Sequence, residues 1–178
     1  MNSSVAVTRP SFLTFGRAMS NVRDDWQEFI RVLDERRVDY MVVGGVALGA
    51  HGHVRYTQDM DVWFRATADN AERLIAALRD FGFESIKVCA SEFCKPRAML
   101  VIGTEPNRIE LINFADGVDF DECFSRRVDV PIGDVVASII GLDDLRKNKR
   151  AVGRLQDLAD IERLDGLSSD KENSDAKN

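Results

Sequence analysis

The run Asp39-Tyr40-Met41-Val42-Val43, stopped at once by Gly44-Gly45, is the feature that most restricts what this chain can fold into. It is short and nearly all apolar, so it reads as a buried strand that ends in a tight turn. A strand of that kind needs a sheet to hold it. Upstream, Trp26, Phe29, Ile30 and Leu33 recur at helical spacing over residues 24–37, with Asp24 and Asp25 at the positive end of the helix. Downstream, residues 46–51 read as a short helix. Residues 59–64 then alternate, with Met60, Val62 and Phe64 on one face and Asp59, Asp61 and Trp63 on the other.

The pattern continues with a helix capped by Thr67 and running through residue 80, its stripe formed by Ala71, Leu74, Ile75, Leu78 and Phe81 and its end marked by Gly82. Residues 85–90, 98–102 and 108–114 read as strands, the last two joined as a hairpin by Gly103-Thr104-Glu105-Pro106-Asn107. Weaker strand signals cover 128–130 and 135–139, and helices resume at 142–151 and 155–164, separated by Gly153. This order predicts an α+β domain with a small mixed β-sheet flanked by helices. Its expected limits are 24–165, between a disordered extension (1–23) and a polar, disordered tail (166–178).

Composition narrows the function. With 178 residues, 44% of them hydrophobic, the chain has the size of one domain with a proper core. Its 24 basic and 30 acidic side chains give a net charge of −6, a field that repels polyanions, so any nucleic-acid contact has to be local. No apolar run approaches the roughly 20 residues that cross a bilayer, and no membrane association is expected. Cys89, Cys94 and Cys123 form no CxxC pair and read as reduced thiols of a cytoplasmic protein. The first 23 residues lack acids and lack a signal-peptide core; Met19, just before the first periodic segment, is an alternative expected start.

Two carboxylates one residue apart on a strand, Asp59 and Asp61, project from the same face about 7 Å apart and can share one or two cations. Glu110, alone between the apolar residues of Arg108-Ile109-Glu110-Leu111-Ile112, is the candidate third ligand, since an acid there is costly unless paired or coordinated. The plainer alternative is that Asp59 and Asp61 are solvated edge charges and that Glu110 pairs with Arg108 or Arg55. Gly44-Gly45, between strand and helix, lets phosphate approach the backbone and free N–H groups. Ala50 and His51 stand where a P-loop would need its lysine and hydroxyl, and no GxGxxG, GxSxG or HExxH occurs. His51 and His53 are poorly spaced for zinc, and His51 is expected to hydrogen-bond behind the glycine turn. Arg55 and Thr57 can orient a triphosphate or brace the carboxylates. Lys147, Lys149, Arg150 and Arg154 form a basic cluster from which Lys149 is the best placed to reach a phosphate if the last helices fold back over the sheet.

Taken in order, Gly44-Gly45-Val46-Ala47, His51-Gly52, Arg55-Tyr56-Thr57-Gln58-Asp59-Met60-Asp61, Arg108-Ile109-Glu110-Leu111 and the stretch from Leu145 through Lys149 to Arg154-Leu155-Gln156-Asp157-Leu158-Ala159-Asp160 resemble the minimal nucleotidyltransferase superfamily. The likeness is greatest to the AbiEii/AbiGii-toxin-type proteins and spans about residues 24–165. It implies a polymerase-β-like fold in which the glycine turn holds a nucleoside triphosphate and Asp59, Asp61 and Glu110 bind Mg2+ or Mn2+, Asp61 bridging both ions. Lys149, Arg154 and Asp157 match the terminal motif. Many relatives carry serine where Gly45 stands, and aspartate is common at the position of Glu110. The implied activity is transfer of a nucleoside monophosphate to an acceptor hydroxyl on an RNA end such as tRNA, a protein or a small molecule. The alternative is a non-catalytic nucleotide- or partner-binding module, one half of a toxin–antitoxin or defence pair.

Overall fold

A computed structural model describes residues 4–7, 22–84 and 86–175, with side chains described for 24–84 and 86–166. Helix α1 (Val22–Glu35) buries Trp26, Phe29, Ile30 and Leu33, the predicted stripe, and leads into strand β2 (Tyr40–Val43), whose four residues are all buried. Helix α2 (Gly44–Ala50) follows without a linker, so Gly44 and Gly45 form its first turn instead of preceding it. Strand β3 (Asp59–Phe64) carries the expected alternation. Helix α3 (Ala68–Asp80) starts at Thr67, whose hydroxyl accepts a hydrogen bond from the Asn70 amide. Asn70 itself is fully buried and binds the backbone of Asp39 and Arg65, tying the start of α3 to the ends of β2 and β3.

Beyond the short α4 (Ala90–Phe93), β4 (Met99–Ile102) and β5 (Arg108–Ile112) form the expected antiparallel hairpin. After α5 (Phe120–Ser125), β6 (Val128–Ile132) and β7 (Val135–Ile139) form a second hairpin, and the chain closes with α6 (Leu142–Val152) and α7 (Leu155–Asp175). With β1 (Ser4–Val7), the described strands make one seven-stranded mixed sheet in the order β1-β4-β5-β3-β2-β7-β6. The architecture is therefore α+β with a mixed sheet and flanking helices. α1 packs with α3 and β7, whereas α2 lies on β2 and β3 and is backed by α6. Strand β3 sits at the centre, parallel to β5 and antiparallel to β2, so both of its edges are paired.

Three expectations need correcting. Residues 4–7 fall in the stretch expected to be disordered, yet they pair in parallel with β4 and cover what would otherwise be an open sheet edge; residues 1–3 and 8–21 lie outside the described residues. The strand expected at 85–90 is absent: Ser85 lies outside the described residues, and 86–89 form irregular backbone that turns Ile86 into the core before α4. Helix α7 runs on through Gly166 to Asp175, past the expected start of the tail, because one helical glycine costs only about 1 kcal/mol. No helix among the described residues is long and apolar enough to cross a membrane.

Candidate active site

Parallel pairing of β3 and β5 sets Asp61 directly beside Glu110 and Asp59 directly beside Arg108. Residues facing one another across a parallel pair share a sheet face, so Asp59, Asp61 and Glu110 converge on one surface. Pairing of β2 with β3 brings Val43 opposite Asp61, and the chain turns there into α2. The glycine turn consequently lies on the acids. A methyl group at Gly44 would stand 1.9 Å from Asp61 Oδ2, and one at Gly45 would stand 2.9 Å from Thr57 Oγ1 and 3.4 Å from Arg55 Nη2. Gly44 also has φ of +64°, where a side chain is strained.

The segment between α2 and β3 has no strand partner but alternates as though it did: His51, His53, Arg55 and Thr57 face inward, in line with Asp59 at the start of β3, while Val54 and Tyr56 are largely exposed. The inward row forms the second wall of the site. Thr57 Oγ1 donates to Asp59 Oδ1 at 2.8 Å. Arg55 Nε lies 3.5 Å from Asp160 Oδ2 of α7, and His53 Nε2 lies 4.0 Å from Asp160 Oδ1. His51 Nε2 sits 2.8 Å from the Ile140 carbonyl oxygen, behind the glycine turn as expected. Neither histidine faces a zinc-type ligand set; among the described residues no group of three His, Cys, Asp or Glu is spaced to hold a metal as it stands.

Arg108 stands among the acids. Its Nη2 donates to Asp59 Oδ2 at 2.8 Å and lies 3.1 Å from Glu110 Oε1, and its Nη1 lies 3.4 Å from Glu105 Oε1. The pairing of Glu110 with Arg108, the plainer of the two sequence readings, is therefore present, and it extends to Asp59. Burial works against charge on Asp59, but the Arg108 and Thr57 hydrogen bonds outweigh it and hold this carboxyl below the usual range. Asp61 is different. Burial, reinforced by the charges of Asp59 and Glu110, pushes its carboxyl up to about 7 against the longer-range pull of Arg108 and Arg154. Three oxygen-donor acids around a guanidinium suit a hard divalent cation in chemistry, and Gly44, without a side chain, lets the Asp61 carboxylate sit against the turn.

Of the nine sequence candidates, Gly44, Gly45, Arg55, Thr57, Asp59, Asp61 and Glu110 are brought together, and Arg154 lies near enough to act on the Asp61 charge. Lys149 is elsewhere. The last helices do fold back, but its ammonium is 3% exposed and donates to Asp157 Oδ1 at 2.9 Å and to Asp160 Oδ2 at 2.8 Å. It braces the α6–α7 junction from beneath and reaches the site only through Asp160 and Arg55. The reach of Arg108 to Asp59 and the role of Asp160 are the parts that sequence reasoning missed. The arginine two residues before the lone acid was the available signal for the first.

Glycines make the local requirement testable. Gly44→Ala forces a Cβ against Asp61 at a left-handed φ and should destabilise the protein by about 1–3 kcal/mol. Gly49→Ala, in the same helix with open space at its Cβ, should instead stabilise it by up to about 1 kcal/mol. Thermal melts of both variants check this; equal effects would mean that the turn is not fitted to Asp61. The chain matches no protein-family model, and no curated protein is significantly similar to it.

Proposed function

We propose that this chain is a metal-dependent nucleotidyltransferase of the minimal, polymerase-β-like kind, which moves a nucleoside monophosphate from an NTP to an acceptor hydroxyl. The observation that carries the reading is the in-register pairing of Asp61 with Glu110, with Asp59 alongside and the Gly44–Gly45 turn directly over them. Acids gathered in this way are costly unless a cation joins them, and two backbone amides without side chains beside them suit a polyphosphate. Asp59, Asp61 and Glu110 would hold Mg2+ or Mn2+, whose chemistry is to neutralise charge on the attacking and leaving oxygens.

The chain's own residues supply the rest. The first turn of α2 receives the phosphates, Arg55 and Arg154 add positive charge to the rim, and Thr57 fixes the rotamer of Asp59. The acceptor oxygen attacks the α-phosphorus, the bond to the β-phosphate bridging oxygen breaks, and pyrophosphate departs. Glu110, the acid that β5 contributes, accepts the acceptor's proton. Incubation with α-labelled NTPs, Mg2+ and candidate acceptors (RNA ends, proteins, hydroxyl-bearing small molecules and the chain itself) should transfer label, and Asp61→Asn should abolish it. Transfer that survives this substitution contradicts the reading.

One observation favours the second reading, a nucleotide- or partner-binding module without turnover: Arg108 already neutralises two of the three acids. That reading calls for NTP binding that is insensitive to Asp59→Asn and is not followed by transfer.

A further inference from the structure

Arg108 occupies the place between two acids that a divalent cation would claim. Its Nη2 lies within 3.1 Å of one oxygen from each of Asp59 and Glu110, and Glu105 holds Nη1. Charge-assisted hydrogen bonds of this length are among the strong ones, and a cation ligating the same carboxylates has to break them. Its Cα faces that of Asp59 across the β3–β5 ladder, so a rotamer change moves the guanidinium over the same face of the sheet. Its Nε is buried without a hydrogen-bond partner, so the stem is held by its surroundings and not by polar contacts of its own. A third of the side chain remains exposed on the face that carries the acids. A guanidinium released there has one good class of new partner, a phosphate that accepts its fork.

We propose that Arg108 is a resident cation that keeps divalent metal out of the carboxylates until a nucleoside triphosphate arrives and offers its phosphates as the arginine's next partner. This rests on the metal centre proposed above. Arg108 thereby couples the two ligands: metal binds weakly alone, nucleotide binds weakly alone, and each strengthens the other by the same factor.

The test is titration of the full chain with Mn2+, read by calorimetry or by the Mn2+ paramagnetic resonance signal, with and without a non-hydrolysable NTP analogue. Without nucleotide, Arg108→Gln should bind Mn2+ at least tenfold more tightly than the wild type. The analogue should tighten Mn2+ binding at least tenfold in the wild type and much less in the variant. Arg108→Lys, which keeps the charge but not the fork, should fall between them, and it carries the test if the glutamine variant does not fold. Mn2+ affinity in both variants equal to or weaker than wild type overturns the proposal. Asp61→Asn separates the two readings: if it abolishes Mn2+ binding while the Arg108 variants match wild type, only the role of Arg108 fails. If Mn2+ binding is unaffected by Asp61→Asn, the metal centre itself fails, and the proposal with it.

Discussion

Replacing Lys149 by methionine should lower the stability of the fold by about 3–5 kcal/mol, the usual cost of removing one partner from a buried ion pair. Lys149 is the only cation hydrogen-bonded to both Asp157 and Asp160 among the described residues, and Asp160 is fully buried. Without the ammonium, Asp160 is left with Arg55 at 3.5 Å and His53 at 4.0 Å, and one oxygen of each aspartate already lacks a hydrogen-bond partner. For a domain of this size the loss corresponds to a fall in Tm of roughly 6–20 °C. The double variant Lys149→Met with Asp160→Asn should lose much less than the sum of the single changes, because it removes the stranded charge as well. It should still bind nucleotide poorly, since Arg55 loses its anchor. An unchanged Tm for Lys149→Met would mean that the triad contributes nothing to the fold.

Asp61→Asn should do the opposite to the metal-free protein and stabilise it. The carboxyl stands near 7 in the folded chain and near 3.9 when unfolded. Between those values the folded state holds more protons, so this group's contribution to stability falls as pH rises from about 4 to about 7 and is level above that. Asparagine has no such dependence. The variant's advantage should be close to zero at pH 4 and should grow to on the order of 2–4 kcal/mol at pH 8. Acids remote from Asp61 titrate alike in both proteins and cancel in the difference, whereas Asp59 and Glu110, whose charges act on Asp61, modulate its size. Thermal melts across that pH range check the sign, and a constant or inverted difference would show that burial does not strain Asp61. Mn2+ together with a non-hydrolysable NTP analogue should raise the Tm of the wild type more than that of the variant. The residue proposed as most important for activity is thus one the empty fold would be more stable without, a trade often found where charge is gathered for function.

What could be read from the residues, and what could not, divides along local and non-local lines. Asp59 and Asp61 on one face follow from strand alternation, the stripes of α1 and α3 from helical spacing, and Thr67 as a cap from its hydroxyl before an apolar run. Each needs only a few consecutive residues. Arg108 between the acids depends on which strand lies beside β3 and in what register, and no stretch of sequence states that. Lys149 is harder still. A lysine in the last turn of a helix is ordinarily a solvated residue favoured by the helix dipole, and only the packing of α7 on α6 turns it inward to meet Asp157 and Asp160. The β1 edge strand escaped notice because its pairing partner, and not its own short pattern, makes it a strand. Residues 85–90 misled for the converse reason: apolar side chains suggested a ladder, but Ile86 serves the core from an irregular segment.

The anchoring of Arg55 by Asp160 has a consequence for how the protein comes into being. The glycine turn, Asp59, Asp61 and Glu110 all leave the ribosome well before α7, and the strands that carry them can pair while the rest of the chain is still being made. Asp160 arrives among the last of the ordered side chains. In a nascent chain the segments that carry the carboxylates therefore precede the partner that holds Arg55, and this guanidinium gains its ion pair only once α7 has been made.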